Sequence, residues 1–129
     1  MARPTDLKYC ETHEWLRSDK GDAVIGITDF AVEQLSDLVH IELPKVGDAV
    51  EAGKAFGEIE SVKTVSDLNS PVSGKITAVN KAVAEDLEIL HKSPFQEGWL
   101  IKVKPGSAAE AGSLMSADEY QKFIDASEH

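Results

Sequence analysis

Short strand-like runs cut apart by Gly, Asp and Pro fill the first hundred residues, and this punctuation most narrows what the chain can fold into. Glu14–Arg17 and Ala23–Ile27 flank a polar loop over Ser18–Asp22, a spacing of hairpin length. Thr28 is placed to cap a short helix running to Leu35, with Asp29 favourably near its N-terminus. Leu38–Leu43 alternates, so Val39, Ile41 and Leu43 are expected on one face and Leu38, His40 and Glu42 on the other. Pro44 stops that run and Val46-Gly47-Asp48 reads as a turn. Strands follow over Ala55–Val62 and Thr64–Asp67, with Lys63 between them, then over Lys75–Val79 and Trp99–Lys104. So many short strands at close spacing predict a mostly β fold, a sandwich or flattened barrel.

The C-terminus changes period. Ser116 and Glu119 form a capping box, and Tyr120, Phe123 and Ile124 share one helical face. Ser107 and Glu110 offer a second, shorter box leading to Leu114. The expected layout is one domain over 1–129, with a β core at about 24–104 and a helical segment at about 107–126, fraying after Asp125.

Composition removes several function classes. Thirteen Lys and Arg against 23 Asp and Glu give a net charge of −10, with no basic run to neutralise phosphates, so neither nucleic acid nor an anionic membrane is an expected partner. No apolar stretch is long enough to span a bilayer or to serve as a signal peptide. The single cysteine, Cys10, excludes an internal disulfide, and its place near the N-terminus favours a surface or packing role over a nucleophile paired with His13. The four histidines show no zinc-ligand spacing, and neither a G-x-S-x-G elbow nor a phosphate-cradling glycine loop occurs. No catalytic residue and no metal site is assigned.

One segment stands apart, Gly57 to Gly74. Lys63 lies near its centre, with Gly53 ten residues before it and Gly74 eleven after. Strand-like runs on both sides put Lys63 at a hairpin tip, where it is presented as a protruding amine on a rigid support. A lysine in a turn is ordinarily a solvated surface residue, so position alone does not assign it a task.

Glu60-Ser61-Val62-Lys63, Ser66-Asp67 and Ser70-Pro71-Val72-Ser73-Gly74 resemble the lipoyl-attachment segment of the glycine cleavage system H-protein family. Biotinyl carriers resemble the same hairpin but usually place Met on both sides of the lysine, where this chain has Val62 and Thr64. The likeness extends over roughly residues 7–124: Thr12-His13-Glu14-Trp15, Ile25-Gly26-Ile27-Thr28-Asp29, Glu42-Leu43-Pro44-Lys45-Val46-Gly47, Ser93-Pro94-Phe95 with Gly98-Trp99-Leu100, and Tyr120. The chain departs from the family's usual pattern at Leu87–His91, His40, Thr64 and Phe95.

The resemblance implies a lipoyl/biotinyl hammerhead fold with short flanking helices and a C-terminal helix. It implies a carrier and not an enzyme, with lipoic acid amide-linked to Lys63 by a lipoyl ligase or transferase. The carried aminomethyl group of glycine would pass from a PLP-dependent glycine decarboxylase to a tetrahydrofolate-dependent aminomethyltransferase. A dihydrolipoamide dehydrogenase using FAD would then reoxidise the arm. Glu60, Ser61, Val62 and Asp67 are the expected recognition residues for modification. Glu14 first, and Asp67 second, are expected to hold the loaded arm's amine through a charge-assisted hydrogen bond. The expected setting is a bacterial cytoplasm, or a mitochondrial matrix in a eukaryote, with the free carrier a monomer. The acidic surface is expected to steer it toward basic patches on its enzymes. The competing readings are a relay that supplies lipoate to other lipoyl domains and an unmodified interaction module.

Overall fold

The computed structural model describes residues 6–19, 21–105 and 114–127. Among these residues, nine strands form two antiparallel sheets. The larger contains β1 (Lys8–Tyr9), β2 (Glu14–Asp19), β3 (Asp22–Ile27), β9 (Ile101–Pro105), β8 (Gly74–Val79) and β5 (Ala49–Val50), in that spatial order. The smaller contains β4 (Leu38–Glu42), β6 (Ala55–Ser61) and β7 (Val65–Asn69), again in that order. The ladders of the two sheets stay separate, so the flattened-barrel expectation resolves into its sandwich form.

The β2–β3 ladder runs out to Asp19↔Asp22, so the expected five-residue loop is much tighter than the polar run suggested. Thr28 caps α1 (Asp29–Leu35) as anticipated, its hydroxyl accepting the Ala31 N–H at 3.2 Å. The alternation expected from Leu38 to Leu43 is broken. A register shift between Leu38 and His40 turns Val39 outward, 50% exposed, while Ile41 stays buried. Two short helices, α2 (Lys81–Glu85) and α3 (Glu88–Lys92), cover the stretch before the last strand and bury Val83 and Leu90. Their five-residue spans are too short for a 3.6 period to show in sequence.

Two apolar clusters hold the layers together. Leu16, Ile25, Ile27, Val32, Leu35, Ile41, Ile59, Leu68 and Ile101 form part of the main core. Leu7, Tyr9, Trp15, Val24, Tyr120 and Ile124 form a second cluster, on which α4 (Ala117–Ser127) sits. Adjacent residues of β2 and β3 therefore serve different cores, Trp15 and Val24 on one and Leu16 and Ile25 on the other. Gly26, paired with Trp15, leaves room for the indole, and a Cβ there would overlap the ring. The indole N–H is shared between the carbonyls of Ile27 and Pro94, both at 3.0 Å.

The capping box of α4 is present: Glu119 N–H donates to Ser116 Oγ at 3.2 Å, and Ser116 N–H to the Glu119 carboxylate at 2.9 Å. The helix continues to Ser127, two residues past the expected fraying point. The second capping box, at Ser107 and Glu110, lies outside the described residues.

Candidate functional site

Strands β6 and β7 pair through Glu60↔Val65, Ile59↔Ser66 and Glu58↔Asp67, which leaves Val62, Lys63 and Thr64 to make the tip. Ser61 organises it. Its oxygen accepts the N–H groups of both Lys63 and Thr64 at 3.2 Å, and its own hydroxyl contacts the Thr64 carbonyl at 3.3 Å. Main-chain bonds from Ser61 N–H to Thr64 O at 2.8 Å and from Val62 N–H to Asp37 O at 3.0 Å tie the tip to itself and to the loop before β4. Ser61 is buried, while Val62 and Lys63 are exposed, Val62 by 64%. The polar residue thus supports the backbone from within, and the lysine is held outside on a turn with fixed geometry. Among the described residues no carboxylate forms an ion pair with Lys63.

Further down the hairpin, Gly57 lets β4 approach. A Cβ at this position would drive into the Glu42 carbonyl oxygen. The outer face of the three-stranded sheet presents Glu60 beside His40 and Val65, and Asp67 beside Glu58 and Glu42. Glu60 and Asp67 are exposed, as recognition residues would need to be.

Between β2, α1 and β7 lies a cleft of about 120 Å³. Thr12, His13 and Glu14 form one wall, Ala31, Gln34 and Leu35 another, and Ser66, Asp67 and Leu68 a third. It begins three residues from Lys63 along β7, roughly 10 Å at ~3.3 Å per residue. Both residues named from sequence border this cleft, in different surroundings, since Asp67 is exposed and Glu14 is only 1% exposed.

Glu14 is no ordinary surface carboxylate. One oxygen accepts the Thr12 hydroxyl and the other the Asn69 N–H at 3.0 Å, so this side chain bridges the six-stranded sheet to the end of β7. Burial pushes its pKa up from an ordinary 4.5 to about 7, against the opposing pull of the hydrogen bonds from Thr12 and Asn69. A carboxyl poised there can lose its proton when a cationic amine arrives and hold it as a charge-assisted pair. A signal for its burial was present in the sequence, because Glu14 shares strand parity with the core residue Leu16.

A larger concavity, about 580 Å³, lies near Asn69–Pro71, at the end of β7 away from Lys63. Its thiol, Cys10, is buried and pushed up to about 12, first by burial and then by the charge of Glu14, which makes it a packing residue and no nucleophile. His13 and Tyr120, which sequence reasoning did not connect, meet beside the cleft with a Nδ1···Oη distance of 2.7 Å.

Comparison with known proteins points to one family. The family model described as Glycine cleavage H-protein matches residues 7–127. The chain is 48% identical over 125 residues to the glycine cleavage system H protein of Listeria monocytogenes serotype 4b, covering 97% of this chain and 100% of that one. It is 50% identical over 121 residues to the counterpart from Halalkalibacterium halodurans, covering 94% of each. It is 49% identical over 120 residues to mitochondrial H protein 2 of Arabidopsis thaliana, covering 93% of this chain and 77% of that one. Among solved structures, a glycine cleavage system H protein from Mycobacterium marinum superposes with a TM-score of 0.89 at 41% identity, covering 95% of this chain and 99% of that one.

Proposed function

The chain belongs to the glycine cleavage H-protein family, the lipoyl-carrying shuttle of the glycine cleavage system, and from this premise we propose that Lys63 is the lipoyl attachment point and the cleft beside β7 the resting place of the arm. The observation that carries the reading is the tip itself. An exposed amine stands on a turn whose Lys63 and Thr64 N–H groups are both satisfied by the buried Ser61 oxygen. A modifying enzyme meets such an amine with little conformational entropy left to remove. Glu60 and Asp67 on the outer strand face, with Val62 beside the lysine, are the groups it would read.

The residues present fit the group. The cleft offers apolar walls from Ile27, Ala31, Leu35 and Leu68, and a buried carboxyl in the same space. When bound, the lipoyl group supplies a dithiolane that accepts, carries and gives up the one-carbon amine unit, and with it the redox chemistry. Glu14 holds the cargo's ammonium, while Thr12 and the Asn69 N–H keep the carboxyl aimed. Asp67 is the outer carboxylate that the amine meets on entry. The apolar walls keep water from the cargo, which otherwise releases formaldehyde and ammonia.

As a component of the glycine cleavage system the chain works with that system's other enzymes. We assign it the PLP-dependent decarboxylase, the tetrahydrofolate-dependent aminomethyltransferase and the FAD-dependent dihydrolipoamide dehydrogenase as docking partners, and a lipoyl ligase or transferase as its modifier. Its own part is carriage. No helix among the described residues is long and apolar enough to cross a membrane, and the bacterial relatives support work in a bacterial cytoplasm alongside those enzymes.

Intact-mass measurement of the parent and of Lys63→Arg, both produced in a lipoylating host, tests the attachment point. The parent is expected to gain the lipoyl increment and the variant to lack it with its fold intact. A lipoyl increment on the variant overturns the assignment.

A further inference from the structure

We infer that Tyr120, on the C-terminal helix, is a positioning residue for the arm cleft, whose single hydroxyl clamps two of the cleft's walls to one another. The inference rests on the reading that the cleft receives the loaded arm.

The two walls have no covalent reason to keep their spacing. One enters β2 through Thr12, His13 and Glu14, and the other is α1, with Ala31 and Leu35 facing the cleft. Each is anchored by one residue that reaches back to α4. Tyr120 Oη lies 2.7 Å from His13 Nδ1 and 2.7 Å from Thr28 Oγ1. His13 directly precedes Glu14, and Thr28 is the N-cap of α1. One oxygen atom therefore fixes both the entry to the carboxylate strand and the first turn of the helix opposite.

The proton inventory closes along this chain. Ala31 N–H donates to Thr28 Oγ1. The Thr28 hydroxyl proton is then available for Tyr120 Oη, and the Tyr120 proton for His13 Nδ1.

Two further observations separate a clamp from simple packing. Tyr120 is fully buried and stacks on Tyr9 at 4.9 Å with the rings 10° apart, contacts that a phenylalanine would preserve. The hydroxyl is thus additional to the packing of α4. His13, for its part, holds φ at +74, in the left-handed region that few side-chain-bearing residues occupy without support from their surroundings. Those surroundings are its N–H on Cys10 O at 3.0 Å, its carbonyl on Thr28 N–H at 2.9 Å, and its ring against Phe30, Tyr120 and Phe123. The backbone bond between His13 and Thr28 and the side-chain chain through Tyr120 join the same two residues, a closed loop that sets the cleft's width.

The test uses the full chain in two states. In the unmodified protein, Tyr120→Phe is expected to speed amide exchange at Ala31 and Thr28 on the order of tenfold, the effect of one lost buried hydrogen bond, and to move the 15N shift of His13 Nδ1. In the lipoylated protein loaded with glycine-derived cargo by the decarboxylase, formaldehyde release is expected to rise several-fold. Thr28→Val should reproduce both effects, Thr28→Ser should restore parent behaviour, and Tyr120→Phe with Thr28→Val should add little to either alone. Glu14→Gln, measured alongside, separates the two levels. If it leaves cargo release at the parent rate, the cleft reading fails and the clamp with it. If Glu14→Gln releases cargo faster while Tyr120→Phe and Thr28→Val match the parent, the cleft stands and the clamp is refuted. A Tyr120→Phe variant that melts earlier, yet keeps parent exchange at Ala31 and parent cargo release, likewise refutes it.

Discussion

Replacing Glu14 with Gln should stabilise this protein at neutral and alkaline pH, although it removes a functional carboxylate. Burial raises the Glu14 pKa from an ordinary 4.5 to about 7. The folded state therefore binds this proton more tightly than the unfolded chain does. Below about pH 4.5 the group is protonated in both states and contributes no penalty. As pH climbs from 4.5 to about 7, the unfolded chain gives up its proton first and stability falls. Above about 7 the loss is complete. At about 1.4 kcal/mol per pH unit the plateau is about 3 kcal/mol. Gln is neutral throughout, and it can accept the Asn69 N–H with its oxygen while its amide donates to Thr12, so both neighbours remain satisfied. The difference between Glu14→Gln and parent should thus be near zero at pH 4.5, rise across pH 5–7 and level off near 3 kcal/mol by pH 8. Urea unfolding at four or five pH values measures it. With slopes of about 1–3 kcal/mol per molar, the midpoints should part by roughly 1–3 M at pH 8. A difference that stays flat with pH, or one that favours the parent at pH 8, refutes the buried-carboxyl argument. A residue that lowers stability at working pH is the expected mark of a site kept for its chemistry.

Two further outcomes concern the hairpin. Ser61→Ala removes the acceptor shared by the Lys63 and Thr64 amides; amide exchange at both should quicken, and lipoylation in vitro should slow several-fold, while the melting temperature shifts by only a few degrees. Gly57→Ala forces a methyl group onto the Glu42 carbonyl oxygen where β4 meets β6. It should cost roughly 1–3 kcal/mol by overpacking, read as a lowered midpoint in thermal or urea unfolding.

How far the sequence reached is clearest at particular residues. Thr28 and Ser116–Glu119 act within three residues, so their caps could be read directly and are present. Val39 shows the opposite case. The alternation puts it on one face with Ile41, but the register shift in β4 turns it to solvent while Ile41 stays buried. Helices α2 and α3 escaped because five residues do not complete an amphipathic period. Glu14 and Asp67 are named together from the resemblance, and folding places both along one cleft while burying only Glu14.

By itself the sequence determined local geometry at particular places: that Pro44 ends the β4 run, which residues cap α1 and α4, and that Lys63 sits on a hairpin tip. Those features depend on neighbours a few positions away, and backbone sterics and short-range hydrogen bonds decide them. The tertiary structure alone decided the electrostatics. Burial raises Glu14 to about 7 against the opposing hydrogen bond from Asn69, 55 positions away, and His13 meets Tyr120 across 107 positions. Desolvation and proximity are properties of the packed interior, where the dielectric is low and partners are held at fixed distances.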